Sequence, residues 1–289
     1  ISCVEEAIKL YREGHDIRGE AMALSVLGEL RSDRAELEKF ESTLRQALVL
    51  ARLGDLEWLE AKMLTLLGTA CIQQGKMGEA PEHLLAAAET YRRIGDRRGM
   101  ASSYLMLGRV EHATGNSRDA VAHVEEAYAI FHEMGDQPMR VASLVTLGQL
   151  HLERGNLNPC RMYSQTALEL AKTLGQHAQA IRATLILAQA ELADEPGPNL
   201  APQLLEAMDL CKQTNQVAIL PEVYRLLAQV YVALHDPVEG EKFARLGREV
   251  VEEDDHYSQG TTWYALALTL AAQPGRQPEA EEVFHKALE

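Results

Sequence analysis

The chain has 289 residues, of which 46% are hydrophobic and only 5% aromatic, and it carries a formal net charge of −15. That length exceeds one ordinary compact domain and predicts either two domains or an extended repeat. The acidic balance argues against direct DNA or RNA binding and against anionic membrane surfaces, because both are held by Lys and Arg.

Small residues mark the order of the elements. Stepping by 40 from Gly108 gives Gly28, Gly68, Gly108, Gly148, Ala188, Ala228 and Leu268. Stepping by 40 from Ala127 gives Ala7, Ala47, Ala87, Ala127, Ala167, Ala207, Gly247 and Ala287. Two independent phases predict a 40-residue repeat along the whole chain. Residues 1–13 fit the second helix of a repeat that lacks its first. Repeats then follow over 17–54, 55–95, 96–135, 136–175, 176–215 and 216–255, with a shortened one at 256–289. Each divides into two helices, such as 101–113 and 118–134, or 141–153 and 160–174.

Two kinds of turn separate these helices. One falls at Gly75, Gly115, Gly155, Glu195, His235 and Gly275, with Ala35 at that place in the first repeat. The other falls at Gly54, Gly95, Gly135, Gly175, Asn215 and Asp255. Gly, Asn and Asp tolerate the left-handed backbone that ends a helix. Asp55, Asp96, Asn116, Asp136 and Asn156 are expected to cap the helices that follow. Pro138 falls in a first helical turn, where its missing N–H costs nothing. The stretch "DEPGPNLAP" (194–202) is expected to loosen the turn of the fifth repeat.

A glycine inside a helix costs about 1 kcal/mol relative to alanine. Gly108 is therefore expected where another helix backbone passes close, with Ala127 supplying the second small contact. Tyr104, Tyr224, Trp263 and Tyr264 lie early in first helices and are expected in the core. Cys3, Cys71, Cys160 and Cys211 form no Cys-x-x-Cys pair and are expected to be small buried residues, which predicts a reducing, cytoplasmic setting. There is no apolar run of about 18 residues and no signal-peptide pattern. The start at Ile1, the lone first helix and the absence of polar capping helices predict a piece of a longer protein.

Phosphate-loop, dinucleotide, nucleophile-elbow and His-Glu-x-x-His motifs are all missing. The ten histidines are scattered, and "EEDDH" (252–256) reads as a solvated acidic turn. No catalytic residue, metal ligand or cofactor is expected.

Leu107, Gly108, Gly115, Asn116, Ala120 and Ala127 resemble the tetratricopeptide repeat. So do Leu147, Gly148, Gly155, Asn156, Cys160 and Ala167, and Leu67, Gly68, Gly75, Lys76, Ala80 and Ala87. The common repeat has about 34 residues. This chain is similar to the long variant found in kinesin light chains, spindle-orientation adaptors and bacterial sensor domains of the maltose-regulator type. The resemblance covers essentially the whole chain and is strongest in its central repeats. It implies an all-α fold, a right-handed superhelical solenoid of antiparallel helix hairpins, with the first helix of each hairpin lining a concave groove. The residue after the helix glycine then faces the groove, giving Glu29, Thr69, Arg109, Gln149, Gln189, Gln229 and Thr269.

On that reading Gln149, Gln189 and Gln229 bond the backbone of a captured peptide, since an amide both donates and accepts. Arg109, Arg182, Arg225 and His112 form a basic lane for acidic side chains. Related proteins carry asparagine near this phase, and glutamine's extra methylene loosens the geometry. The clamp that grips chaperone tails needs asparagine there in its first repeat and is missing. The resemblance thus implies a protein- or peptide-binding scaffold or sensor module of a larger regulatory protein, and no enzyme. The alternatives are self-association into a homo-oligomer, intramolecular autoinhibitory docking, and small-molecule sensing.

Overall fold

The computed structural model describes all residues except 33–35, 195, 198, 253–254 and 289. Among the described residues there are fifteen α-helices and no strand. A lone helix α1 (Ser2–Glu13) precedes seven hairpins. These pair α2 (Ile17–Ser32) with α3 (Leu37–Leu53), α4 (Glu57–Gln73) with α5 (Ala80–Ile94), and α6 (Arg97–Ala113) with α7 (Ser117–Met134). Next come α8 (Gln137–Glu153) with α9 (Leu157–Thr173), and α10 (His177–Leu192) with α11 (Leu200–Gln213). A 3-10 turn (Val217–Ile219) leads to α12 (Leu220–Ala233) with α13 (Pro237–Glu249), and α14 (His256–Ala271) pairs with α15 (Gln277–Leu288). The chain packs as two compact units, Ile1–Ser143 and Leu144–Glu289. In the first, Phe40, Leu44, Met63 and Leu67 are fully buried between hairpins; in the second, Ile181, Leu200, Leu204 and Leu226 are.

The helix glycines are explained by a side chain from the paired helix. A Cβ on Gly28 would lie 2.8 Å from Leu44 Cδ2, and one on Gly68 would lie 2.7 Å from Leu84 Cδ2. At Gly108 the obstacles are Val124 and the Ala120 carbonyl, the latter at 2.9 Å. The close partner is therefore the residue sixteen further on, not the expected Ala127, although Ala127 is fully buried. In the sixth hairpin the roles reverse: Ala228 stands on the first helix, and Gly240 on the second would put a Cβ 2.9 Å from the Ala228 carbonyl.

The turns keep the 40-residue period closely. Left-handed backbone occurs at His15, Asp55, Gly95, Gly135, Gly175 and Asn215, and at Gly75, Gly115, Gly155, His235 and Gly275. Asp55, with φ of 50°, takes the slot expected of Gly54, whose φ is −97°. Asp55 consequently caps nothing, and Leu56 holds the N-cap position of α4. Asp255 stops no helix; it caps α14 by accepting the Ser258 N–H at 3.0 Å. Asp96 and Asp136 cap as expected, accepting from Gly99 and Met139 at 2.8 and 3.3 Å. Asn116 and Asn156 sit at N-cap positions without a side-chain cap bond, because Asn116 bonds Asp119 and Asn156 bonds His151. The expected turns at Ala35 and Glu195 lie outside the described residues, as do residues 253–254 of the acidic stretch.

Two further expectations change. Tyr104 and Tyr224 are buried and Trp263 is half-buried, but Tyr264 is exposed, because no further helix stacks on the last described hairpin. Cys71, Cys160 and Cys211 are buried, whereas Cys3 is exposed on the lone helix α1.

One polar register ties a hairpin to its successor. Glu41 on α3 accepts from Arg45 and from Lys76 beyond α4, and these bonds hold its carboxyl down at about 2. Two hundred residues on, Glu241 on α13 accepts from Gln273, Arg245 and Arg276. Burial works to raise its pKa, and the three donors outweigh it and lower it. Arg161 at the same register has the opposite sign and pairs with Asp194 at 2.7 Å.

Candidate functional site

Within each unit the first helices of successive hairpins meet directly. α2 touches α4 and α4 touches α6; α10 touches α12 and α12 touches α14. Among the described residues the second helices, such as α3 and α5, make no such contact. Rows that converge lie on the inside of a curve, so the first helices form the inner face of each unit.

On the inner face of unit 1, Glu29 pairs with Lys62 across α2 and α4. Thr69 donates to the Thr65 carbonyl at 3.1 Å and lies 4.0 Å from Met106 Sδ on α6. Arg109 is exposed and His112 half-buried, both on α6. Arg109 and His112 each have an interaction partner within the chain.

On the inner face of unit 2, Gln189 Nε2 donates to Glu222 Oε1 at 2.8 Å, bridging α10 and α12. Arg225 grips the same carboxylate through Nε at 2.8 Å and Nη2 at 2.6 Å. Its Nη1 donates to Gln229 Oε1 at 3.0 Å. Burial works to lower the pKa of Arg225; the hydrogen bond and charge of Glu222 overcome this and raise it, with the nearby Tyr257 adding to the effect. Gln189, Glu222, Arg225 and Gln229 are thus one connected network of half-buried groups.

The predicted residues therefore fall into different states. Gln189, Gln229 and Arg225 are brought together. Gln149 stands apart and donates to Glu153 at 2.6 Å. Arg182 is exposed on α10 and, among the described residues, makes no hydrogen bond or ion pair. Arg225 is not an open guanidinium of a basic lane, because Glu222 neutralises it through a bidentate contact. Thr269 continues the column in sequence but is fully buried, donating to the Leu266 carbonyl at 2.8 Å. Gly240 on α13 leaves the room it fills, since a Cβ there would sit 3.2 Å from Thr269 Cγ2.

The group missed from sequence is Glu222. Its signal was present: Glu222 and Arg225 are three apart on one helix face, and Gln229 is four beyond Arg225. Among the described residues no helix is long and apolar enough to cross a membrane.

Residues 59–133 match the family model of the tetratricopeptide repeat. No curated protein sequence matches the chain. Among solved structures, BtubC (BKLC) from P. vanneervenii aligns at 19% identity over 74% of this chain and 90% of its own, with a TM-score of 0.65. A signal transduction ATPase with numerous domains and a tetratricopeptide repeat sensor, from Pyrococcus horikoshii, aligns at 19% identity with a TM-score of 0.76. It covers 98% of this chain, which spans only 43% of that protein. The apo form of the quorum sensor NprR from B. thuringiensis aligns at 14% identity over 99% of this chain and 81% of its own, with a TM-score of 0.77. At these identities the likeness is one of fold.

Proposed function

For a chain of the tetratricopeptide-repeat fold, we propose the role of a protein-binding scaffold or sensor module that captures a peptide segment on its inner face. The observation that carries this reading is the network of Gln189, Glu222, Arg225 and Gln229. It holds two inner-face amides in fixed orientation and leaves capacity on each. Gln189 uses one N–H and Gln229 one lone pair of its oxygen, so each amide keeps donors and acceptors for a peptide backbone. Fixing the amides beforehand lowers the ordering cost of capture. Gln149 extends the same column, and the open guanidinium of Arg182 suits an acidic side chain. Two of the solved neighbours are described as sensors, and the chain matches less than half of one of them, which supports a sensing module inside a longer regulatory protein. The reading assigns the chain no catalytic step, no cofactor and a reducing, cytoplasmic setting.

The test is a pull-down from lysate with mass spectrometry, comparing the intact chain with the combined Gln149→Ala, Gln189→Ala, Gln229→Ala variant after both are shown to melt alike. A partner lost only by the variant supports capture at these amides. A partner retained by both moves the interface elsewhere. No partner for either turns the reading toward intramolecular docking or a small molecule.

A further inference from the structure

The outer side of unit 2 carries a cavity that capture on the inner face leaves unused. α9 and α11, the second helices of successive hairpins, make no direct contact among the described residues. Between them, over α10, lies a cavity of about 310 Å³. Buried Ile181 and Thr184 of α10 line it together with Leu168 of α9 and Ala207 of α11, and Lys172 and Glu206 stand at its edge. Elsewhere in the repeat this place holds rings. Stepping by 40, Thr184 corresponds to Tyr104 and Tyr224, and Gln203, which also lines the cavity, to His123 and Phe243. Tyr104 stacks on His123 at 5.4 Å, and Tyr224 on Phe243 at 6.4 Å. Each tyrosine also has a cation over it from the preceding second helix. Arg92 lies 5.9 Å from the centre of the Tyr104 ring and donates to its hydroxyl, and Lys212 lies 5.8 Å from the centre of the Tyr224 ring. Lys172 stands at the phase of Arg92 and Lys212. This hairpin therefore keeps the cation but has Thr184 and Gln203 in place of both rings, and the cavity is the space they leave. Lys172 meets Glu206 only at 3.6 Å, and both side chains are more than half exposed, so the ammonium keeps donors and the carboxylate keeps acceptors.

We propose that this cavity binds a small phenol, a single hydroxylated aromatic ring that takes the place Tyr104 and Tyr224 fill in their own hairpins. A volume of about 310 Å³ is at the low end for ligand pockets, which suits one ring. The ring covers Ile181, Leu168 and Ala207, with the Lys172 ammonium beside it as Arg92 and Lys212 are beside theirs. A phenol hydroxyl both accepts and donates, so it can accept from Lys172 and donate to Glu206. The mixed charge at the edge selects that group. A carboxylate would meet Glu206 and an ammonium would meet Lys172, each a contact between like charges. The site is separate from the inner-face amides, and neither depends on the other.

The probe is p-cresol, the tyrosine side chain as a free molecule, with toluene as the analogue that lacks the hydroxyl. Binding to the 289-residue chain is followed by ligand-observed NMR titration. The expected dissociation constant for p-cresol is about 1 mM or below, a modest efficiency for a molecule of that size. Toluene should bind about tenfold more weakly, the cost of losing a hydrogen bond to a charged group. Thr184→Leu puts into the cavity the side chain that Leu144 supplies at the same phase, and should weaken p-cresol binding about tenfold or more in a protein that melts like the parent. Lys172→Ala changes only an exposed side chain and keeps the test open should the leucine variant fail to fold. It should weaken p-cresol about tenfold and leave toluene unchanged. The Gln189→Ala, Gln229→Ala variant should bind p-cresol as the parent does. Failure of p-cresol to bind, equal binding of toluene, or indifference to both Thr184→Leu and Lys172→Ala overturns the proposal. Loss of p-cresol only in the glutamine variant also overturns it, since the ring would then sit on the inner face.

Discussion

Replacing Gly68 by alanine sets two opposed effects against each other. Alanine at a helix interior gains about 1 kcal/mol over glycine. Here the new Cβ would sit 2.7 Å from both Cγ and Cδ2 of Leu84, a fully buried side chain. Overpacking of that kind costs about 1–3 kcal/mol. The net expectation is a loss of up to about 2 kcal/mol, against the gain that propensity alone predicts. Leu84→Ala by itself leaves a cavity and costs about 2–5 kcal/mol. Combined, the methyl group introduced by Gly68→Ala enters space that Leu84 vacated, so the double variant should lose about 1–2 kcal/mol less than the sum of the singles. Urea unfolding followed by far-ultraviolet circular dichroism measures all three. A stabilised Gly68→Ala, or strict additivity in the double variant, refutes the account of the helix glycines. Gly75→Ala is the control. Its cost comes from a φ of +72° with no neighbour within 4 Å, so Leu84→Ala should leave it unrelieved.

Glu41→Gln should cost about 1–2 kcal/mol at neutral pH, discounted for partial solvent screening. The folded-state value near 2 lies below the ordinary 4.5, so the contribution is complete above pH 4.5 and is lost as pH falls toward 2. Melting curves of parent and variant should converge at the acid end, and a constant gap would exclude the ion-pair origin. Asp96→Ala removes a cap bond at 2.8 Å and should cost about 1 kcal/mol in the same urea assay. Asn116→Ala removes no cap bond and should cost clearly less; equal losses would mean that helix capping is not the distinction.

The architecture was legible because close helix packing confines small residues to fixed phases. Periodicity also located the turns better than residue type did. The 40-residue step points to Asp55, yet the usual preference points to Gly54, and the backbone follows the period. Asn116 looked like a cap by type, but a carboxylate three residues later competes for its amide. For the candidate site, stepping by the period found Gln189 and Gln229 but was blind to what joins them. Glu222 lies 33 residues beyond Gln189 and three before Arg225, off the column in both cases. The same procedure placed Thr269 on the open face, because it could not register that Gly240 makes room for it inside. The exposure of Met22 and Val26 escaped notice for a related reason: exposure depends on what does not pack against a residue, which a single sequence does not state.

One register inside the hairpins shows why inner-face changes can report binding rather than folding. Arg31 bonds Thr43, Glu111 meets His123 at 2.8 Å, His151 stacks on Tyr163 at 5.4 Å, and Tyr231 stacks on Phe243 at 5.4 Å. Each pair joins the first and second helix of a hairpin at the same place, forty residues after the last or a multiple of it. Hydrogen bonds in two hairpins and stacked rings in two others serve equally, since the hairpin requires two side chains that fit each other and not one chemistry. A single change there strands the partner: Glu111→Ala leaves half-buried His123 without its carboxylate. The inner columns carry no such obligation within their own hairpin. Their contacts run to the next first helix, as Gln189 does to Glu222, or to solvent, as at Met22 and Val26. Substitutions there leave the two helices of a hairpin joined, so in a variant that melts like the parent a loss of partner reads as lost recognition.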